Sequence, residues 1–245
     1  MLKKLKTFTT KSLIICNSII ISSSIILSGC EHTDIGDFNY DFIEGTTRII
    51  SYNGTERNIV IPDSIENRDV TIISNYAFGS EYSGLEMKNE SNIDYKPASD
   101  LINISFPDTL INIGEGAFQF CTSLEKVDLS NCYSFTFFDK YAFSGCSSLK
   151  TIIFSDSTQY ICENAFSNCK SLTKVTIPQS VNAIFNNAFN GCTNLTDVYF
   201  ESDSVNEYFA DNTFDNCSEY LVLHAPKNSM IETYANNNNI SFEEI

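Results

Sequence analysis

The cysteines are the residues of this chain whose number and spacing could support chemistry. There are nine, and five of them, Cys121, Cys146, Cys169, Cys192 and Cys217, lie 25, 23, 23 and 25 residues apart. Four of these five occur in the same recurring sequence, Ala-Phe-x-x-Cys-x-x-Leu, and the fifth occurs in a weaker version of it. Cysteines in such numbers can form disulfides in an exported protein, bind zinc, or act as nucleophiles beside a histidine.

The regular spacing favours buried free thiols over these three reactive roles. A linear row of cysteines cannot surround zinc tetrahedrally, and the sequence has no C-x₂-C pair. Neighbouring strands lie about 4.8 Å apart, which disulfides allow, but parallel side chains that point into a core do not readily converge. Cys132 lies outside the row, and two interpretations of it stay open: an exposed thiol, or an incidental small apolar residue.

Neither the histidines nor the acids form a catalytic set. The two histidines, His32 and His224, have no cysteine that the spacing brings to them. We expect His224 to be an isolated, solvated side chain. The acids show no converging pair, and the sequence contains neither G-x-x-x-x-G-K-[ST] nor G-x-S-x-G. We therefore predict a protein that is not an enzyme and uses no cofactor or metal.

The recurring phrase instead predicts a repeat solenoid. When each cysteine is position zero, apolar residues recur at three positions. These are Leu124, Leu149, Leu172, Leu195 and Tyr220 at +3; Val127, Ile152, Val175, Val198 and Leu223 at +6; and Leu129, Phe154, Ile177, Phe200 and Ala225 at +8. This is the L-x-x-L-x-L strand of leucine-rich repeats, and the alternation at +6 and +8 places those side chains on one face of a parallel sheet. We predict right-handed coils of about 23 residues.

A second apolar residue stands four positions before each Ala of the phrase. The set is Ile73, Ile113, Phe138, Ile161, Ile184 and Phe209. We expect these residues to begin the return leg of each coil, with the Ala-Phe pair packing small and large side chains into adjoining core layers.

The repeat unit resembles the BspA-type leucine-rich repeats of bacterial and protozoan surface proteins. The resemblance is carried by Ser-Leu-Thr-Lys-Val-Thr-Ile-Pro at 171–178 and Asn-Ala-Phe-Asn-Gly-Cys at 187–192, with an echo in Ile-Val-Ile-Pro at 59–62. It covers roughly residues 46–245. The resemblance implies adhesion or binding at the cell surface, including binding of extracellular matrix proteins.

The first residues have the pattern of an export signal. Four lysines within residues 3–11 precede an uncharged, isoleucine-rich run at 13–27. The run ends in Leu-Ser-Gly-Cys30, which resembles a bacterial lipobox and implies that Cys30 is the lipidated N-terminus of a mature protein at the membrane's outer, extracytoplasmic side. A retained transmembrane anchor and plain secretion are the alternatives, although the apolar run is interrupted by serines.

The charge of the chain limits its partners. From Cys30 onward, 31 acidic residues stand against 11 basic ones. This negative field opposes nucleic acid and anionic lipid, so we predict no nucleic-acid partner. Acidity that keeps an exported protein soluble is the simpler interpretation.

The predicted order of segments follows from these features. Residues 1–29 form the signal peptide, 30–45 a flexible tether, 46–76 an N-terminal cap with a first partial repeat, 77–226 the repeats, and 227–245 a C-terminal cap. In the N-terminal cap, the apolar runs at 48–52 and 58–61 flank Asn53-Gly54, which favours a β-hairpin. The repeats contain one insert, at about 80–97.

Two regions are candidates for binding. The insert offers Tyr82, Met87 and Tyr95, and a neutral loop insertion is the alternative interpretation. The outward columns of the strands offer Lys126, Asp128, Lys150, Ile153, Lys174, Thr176, Asp197, Tyr199, Leu221 and His224. Solenoids bind partners through such extended surfaces, although single exposed apolar residues are also common without function. We predict binding of a protein or glycan, with a structural role among partners in the same cell envelope as the alternative. No oligomeric state is predicted.

Overall fold

The structure is a computed structural model that describes residues 35–79, 98–202, 205 and 208–245. The predicted lipidation residue Cys30 and the predicted loop residues Tyr82, Met87 and Tyr95 lie outside the described residues.

The described residues are almost all strands and tight turns. In chain order the strands are β1 Phe38–Ile43, β2 Thr46–Tyr52, β3 Asn58–Val60, β4 Ser64–Ile65, β5 Arg68–Ile73, β6 Asn103–Ser105, β7 Asn112–Ile113, β8 Lys126–Asp128, β9 Phe137–Phe138, β10 Thr151–Ile153, β11 Tyr160–Ile161, β12 Lys174–Ile177, β13 Ala183–Ile184, β14 Asp197–Phe200, β15 Tyr208–Phe209, β16 Val222–Ala225 and β17 Ser241–Glu244. A 3-10 turn, Ile35–Asp37, precedes β1, and one helix, α1 Met230–Asn238, precedes β17.

The strands form one long sheet and two short ones. The long sheet has the order β1-β2-β5-β7-β9-β11-β13-β15, with β4 paired to β5, and it collects the return legs of the coils. The short sheets have the orders β10-β8-β6-β3 and β12-β14-β16-β17. Successive coils pair in parallel and in register, as when Val175 faces Val198 and Val198 faces Leu223. The chain is thus a β-solenoid of about six turns with about 24 residues per turn, which confirms the predicted fold class.

The predicted core columns are buried between the sheets. The +6 and +8 residues are all buried, and so are five of the six residues predicted to begin the return legs. The phenylalanines of the repeated phrase, Phe78, Phe118, Phe143, Phe166, Phe189 and Phe214, stack with neighbouring ring centroids 4.7, 4.9, 5.5, 5.5 and 5.6 Å apart. One stacked ring per coil contributes dispersion energy at a spacing close to that of the strands, so side-chain and backbone ladders reinforce each other.

The five cysteines of the row form a third ladder. Each thiol donates a hydrogen bond to the carbonyl oxygen of the phenylalanine in the preceding coil, at sulfur-oxygen distances of 3.2–3.5 Å. All seven cysteines in the described residues are free, and four of the row are fully buried, whereas Cys217 is half-buried. The prediction of buried free thiols is therefore confirmed for four of the five cysteines of the row, and Cys217 is free but only half-buried. Burial raises the pKa of the row's thiols, because the thiolate would lose its hydration.

Cys132 is not an exposed thiol. Its side chain is 1% exposed, and its sulfur donates to the carbonyl oxygen of Pro107 at 3.3 Å. Of the two interpretations that its position outside the row left open, the small apolar residue is the correct one, because the connection that contains it folds inward between two coils.

The N-terminal end differs from the prediction in two ways. Residues 35–43 are not a flexible tether, because β1 pairs antiparallel with β2 through a turn at Glu44 and Gly45. Phe38 anchors β1: it is 4% exposed, and its ring lies 5.3 Å from Tyr52. The predicted hairpin across Asn53 and Gly54 is also wrong, since β2 joins the long sheet whereas β3 pairs in parallel with β6.

The C-terminal end is closed by α1 and β17. The Ser229 hydroxyl accepts a hydrogen bond from the Glu232 amide at 3.2 Å, which caps the start of the helix. The helix buries Ile231, Tyr234 and Ala235, and β17 then pairs in parallel with β16. Within the described residues, no helix has both the length and the apolar content that crossing a bilayer would require.

Candidate binding surface

The outward faces of the two short sheets carry most of the candidate residues predicted from the sequence. Lys126, Lys150, Ile153, Lys174 and Thr176 are exposed, and Asp128, Asp197 and Tyr199 are half-buried. The alternation of each strand explains this, because the residues between them, such as Val127 and Val175, are buried in the core. Eight of the ten predicted residues therefore lie on one outward face, whereas Leu221 and His224 do not.

Leu221 is buried, so its predicted outward orientation is wrong. It is 4% exposed, whereas Tyr220, which was predicted to be inward, is 73% exposed. In the other repeats the leucine at +3 closes a turn onto the cysteine carbonyl, but here Leu221 closes the turn onto Ser218 instead. The turn ends one residue later, so Leu221 takes the core position that was predicted for Tyr220. Val222 then pairs with Asp197, which restores the register.

His224 is also buried, so it is not an isolated, solvated side chain. It is 5% exposed, its Nε2 lies 3.0 Å from Asp197 Oδ1, and its Nδ1 lies 3.3 Å from Glu243 Oε2. Its ring stacks on Tyr199 with centroids 4.0 Å apart and planes 2° apart. The cause of the burial is β17, which lies beside β16 and brings Glu243 opposite His224.

Tyr199 lies at the centre of a group of side chains that contact one another on this face. From the strand on one side, the Lys174 ammonium lies 4.1 Å from its ring centroid, and from the strand on the other side His224 stacks on it. Lys174, Tyr199, His224 and Asp197 are called the C-terminal cluster below. Hydrogen bonds from Thr196 and then from His224 hold the pKa of Asp197 below its ordinary value, so this carboxylate stays charged.

The remaining charges of the face form neutral pairs. Lys126 lies 2.9 Å from Asp128, and Lys150 lies 3.0 Å from Glu125. These pairs are exposed and contribute little to stability. They pair cationic with anionic groups along a face whose charges balance, on a chain that is strongly acidic as a whole.

Among the described residues, no group of three His, Cys, Asp or Glu side chains is placed to hold a metal ion. The histidine of the C-terminal cluster contacts two carboxylates and a tyrosine ring.

Apart from the insert, the candidate residues predicted from the sequence belong to the outward faces of the short sheets alone. The long sheet has another, formed by the residues five positions before each Ala of the phrase. They are Ile72, Asn112, Phe137, Tyr160, Ala183 and, before Thr213, Tyr208. The same period that revealed the core would have revealed this column, in which three of the six residues are aromatic.

Comparison with known proteins identifies the repeat. Residues 47–133 and 90–221 match the family described as BspA type leucine rich repeat region, in six copies. No curated protein matches the chain.

Two solved structures are similar in fold. The first is a leucine-rich repeat protein of T. pallidum, with 22% identity, a TM-score of 0.62, and coverage of 87% of this chain and 98% of that one. The second is a leucine-rich cell surface protein of Faecalibacterium prausnitzii, with 24% identity, a TM-score of 0.58, and coverage of 79% of this chain and 54% of that one. This chain therefore matches about half the length of the second protein.

The family match extends from the first strands of the solenoid to the last full repeat, which is well over half of the chain. Proteins with BspA-type repeats are typically found at bacterial cell surfaces, and leucine-rich repeat families are generally not enzymes. The geometry of the coils and the family match agree, and the chain belongs to the BspA-type leucine-rich repeat family.

Proposed function

We propose that this protein is a lipid-anchored, non-catalytic surface protein that binds an extracellular protein or glycan through the outward face of its short sheets. The observation that carries the proposal is the C-terminal cluster, where Lys174, Tyr199 and Asp197 are held by their neighbours and still reach solvent. Side chains fixed before binding lose little conformational entropy when a partner arrives.

The composition of the face fits a macromolecular partner. Tyrosine is enriched at protein interfaces, and Ile153, 37% exposed, adds an apolar contact two coils away from Tyr199. The acidic remainder of the chain repels strongly anionic partners. The charges of this face balance, so the face itself does not repel a partner with few charges. A matrix protein of the host is the partner that the family resemblance favours.

The lipid anchor in this proposal depends on the sequence Leu-Ser-Gly-Cys30 after the uncharged run. Several acyl chains on one cysteine would hold the protein firmly, whereas a single chain binds membranes weakly. We expect Cys30→Ala to move the protein from the membrane fraction to the medium or soluble fraction. Unchanged retention in the membrane fraction would contradict the anchor.

The binding face is tested by capture with matched lysine variants. The full chain would be displayed on cells, extracellular matrix proteins and surface glycans would be offered, and the captured amount would be compared among wild type, Lys174→Ala, Tyr199→Ala and Lys170→Ala. Lys170 is an exposed lysine outside the face. We expect about tenfold weaker capture by the first two variants and no change for the third.

Equal capture by all forms would contradict the role of this face. Cross-linking on intact cells adds the decisive comparison, because partners found only within the same envelope would favour a structural role and overturn adhesion.

A further inference from the structure

The outward face of the long sheet carries apolar and aromatic side chains among polar ones. The paired outward positions of neighbouring strands are Arg48, Ile72, Asn112, Phe137, Tyr160, Ala183 and Tyr208, and Ile50 lies two residues beyond Arg48 on β2. Ile50 is 40% exposed and Tyr208 is 46% exposed. Apolar side chains that recur along an outward face mark an interaction surface more often than scattered single residues do.

The aromatic residues follow the axis of the solenoid. Direct pairing joins Asn112 to Phe137, Phe137 to Tyr160, Tyr160 to Ala183, and Ala183 to Tyr208. The Phe185 ring lies 5.3 Å from that of Tyr208, so it adds an aromatic ring to the strand that presents only Ala183. One ring per strand at a spacing of about 4.8 Å gives a row roughly 14 Å long from Phe137 to Tyr208.

Two grooves lie on the same face as this aromatic row. The first, of about 350 Å³, is lined by the polar side chains of Arg48, Ser74, Asn75, Asn112 and Asp139 over Ile50 and Ile72. The second, of about 320 Å³, is lined by Lys140, Cys162, Glu163, Phe185 and Asn186. Both volumes are at the lower end of the range for small-ligand sites, about 300–1,000 Å³.

The polar groups of the grooves favour an uncharged ligand with hydroxyl groups. Arg48 donates two hydrogen bonds to Asp41, and Lys140 lies 3.5 Å from Glu163, so both cations are already paired. Asn112 Oδ1 is buried and accepts no hydrogen bond from the described residues. A buried acceptor without a donor is destabilising, and Asn112 lines the first groove, where a ligand hydroxyl would supply the donor once the amide turns toward it.

We propose that this face binds an uncharged polysaccharide laid along the axis of the solenoid. Its sugar rings stack on Tyr160, Phe185 and Tyr208, and its hydroxyl groups bond with Asn112, Asp139 and Asn186. A pyranose ring has an apolar C–H face and a hydroxylated edge, which match an aromatic row flanked by amides and carboxylates. A polymer with a short repeat also fits a surface that repeats at every strand. The site goes beyond the proposed function, because it lies on the other sheet and takes a defined class of ligand.

The test is retention of the purified full chain on insoluble cellulose, chitin and starch. The variants are Tyr160→Ala, Tyr208→Ala and Asp139→Asn, and the matched control is Tyr220→Ala, a tyrosine that is 73% exposed and lies outside the row. We expect wild type and Tyr220→Ala to be retained by at least one of the three. The other variants should bind about tenfold more weakly. Asp139→Asn keeps the shape of the groove, so it separates loss of binding from loss of folding, and circular dichroism melting checks each variant.

Three outcomes overturn the proposal. One is no retention of wild type on any of the three polysaccharides. Another is equal retention of all variants. The third is a concentration-dependent dimer that Tyr208→Ala dissociates, since the row would then be an interface between two copies. Tyr199→Ala separates the two proposals, because it should weaken capture at the short sheets and leave polysaccharide retention unchanged.

Discussion

Thr158 occupies a buried apolar column, and replacing it with valine is expected to stabilise the protein. The equivalent residues, seven positions before each Ala of the phrase, are Val70, Leu110, Phe135 and Val181, all at most 1% exposed. Thr158 itself is 0% exposed. Its amide closes the same turn as the amides of Leu110, Phe135 and Val181, each onto a carbonyl three residues earlier. Its Oγ1, however, has no hydrogen-bond partner among the described residues.

The size of the effect follows from the unpaired hydroxyl. Burying a hydroxyl without a partner costs about 1–3 kcal/mol. Thr158→Val exchanges that hydroxyl for a methyl group of nearly the same shape, so the turn and the neighbouring coils need not move. We expect the free energy of unfolding to rise by about 1–2 kcal/mol, which corresponds to a melting temperature about 2–8 °C higher for a chain of this size.

Urea denaturation of the full chain, followed by far-UV circular dichroism, measures this change. The transition midpoint should rise with an unchanged m-value, since the surface exposed on unfolding stays the same. Val181→Thr is the matched control in the next coil. It introduces the same defect and should lower the stability by about 1–3 kcal/mol.

An unchanged or lower midpoint for Thr158→Val would refute the reasoning. It would mean that the Thr158 hydroxyl has a partner in solution, such as a buried water bridging to the neighbouring Ser155 and Ser157.

Three further predictions concern the thiols and one ion pair. Cys169→Ala removes a donor to Phe143 and leaves a void, so the free energy of unfolding in urea should fall by about 1–3 kcal/mol, and by less for the half-buried Cys217→Ala; an unchanged stability of Cys169→Ala would contradict the ladder. Burial, and then the charge of Asp139, raises the pKa of Cys162 to about 11. The rate of Cys162 alkylation in the native protein should therefore rise about tenfold per pH unit between about pH 8 and pH 10, and a plateau in that range would be contrary evidence. The Arg48 hydrogen bond lowers the pKa of Asp41. The wild type should therefore be more stable than Arg48→Gln above the ordinary Asp pKa, and should lose this advantage as acid protonates Asp41. A stability difference between the two proteins that stays constant during acid denaturation would argue against this role of Arg48.

The core was predictable because it repeats. Position +6 holds a branched apolar residue in every coil, and all five are buried in register. A spacing of 23–25 residues brings the same position back to the same environment in each coil. Equivalent positions therefore need side chains of similar size and polarity, and the sequence shows this as a repeat. The buried thiols followed from the same argument.

The two ends of the solenoid were not predictable in this way. Phe38 lies in a short acidic segment outside the 23-residue repeat, yet it packs on Tyr52 and holds β1 against the sheet. His224 was assigned to solvent because its register is outward, but Glu243, 19 residues later in the chain, returns beside it on β17. The one-residue delay that exchanges Tyr220 for Leu221 also left no mark in the spacing of the cysteines.

The amino-acid sequence by itself determined the solenoid class, the period and which side chains form the core ladders, because those depend on local alternation repeated from coil to coil. The tertiary structure decided how the ends close and which outward side chains stay exposed. These features depend on contacts between segments distant in sequence that occur once, so no period in the sequence records them.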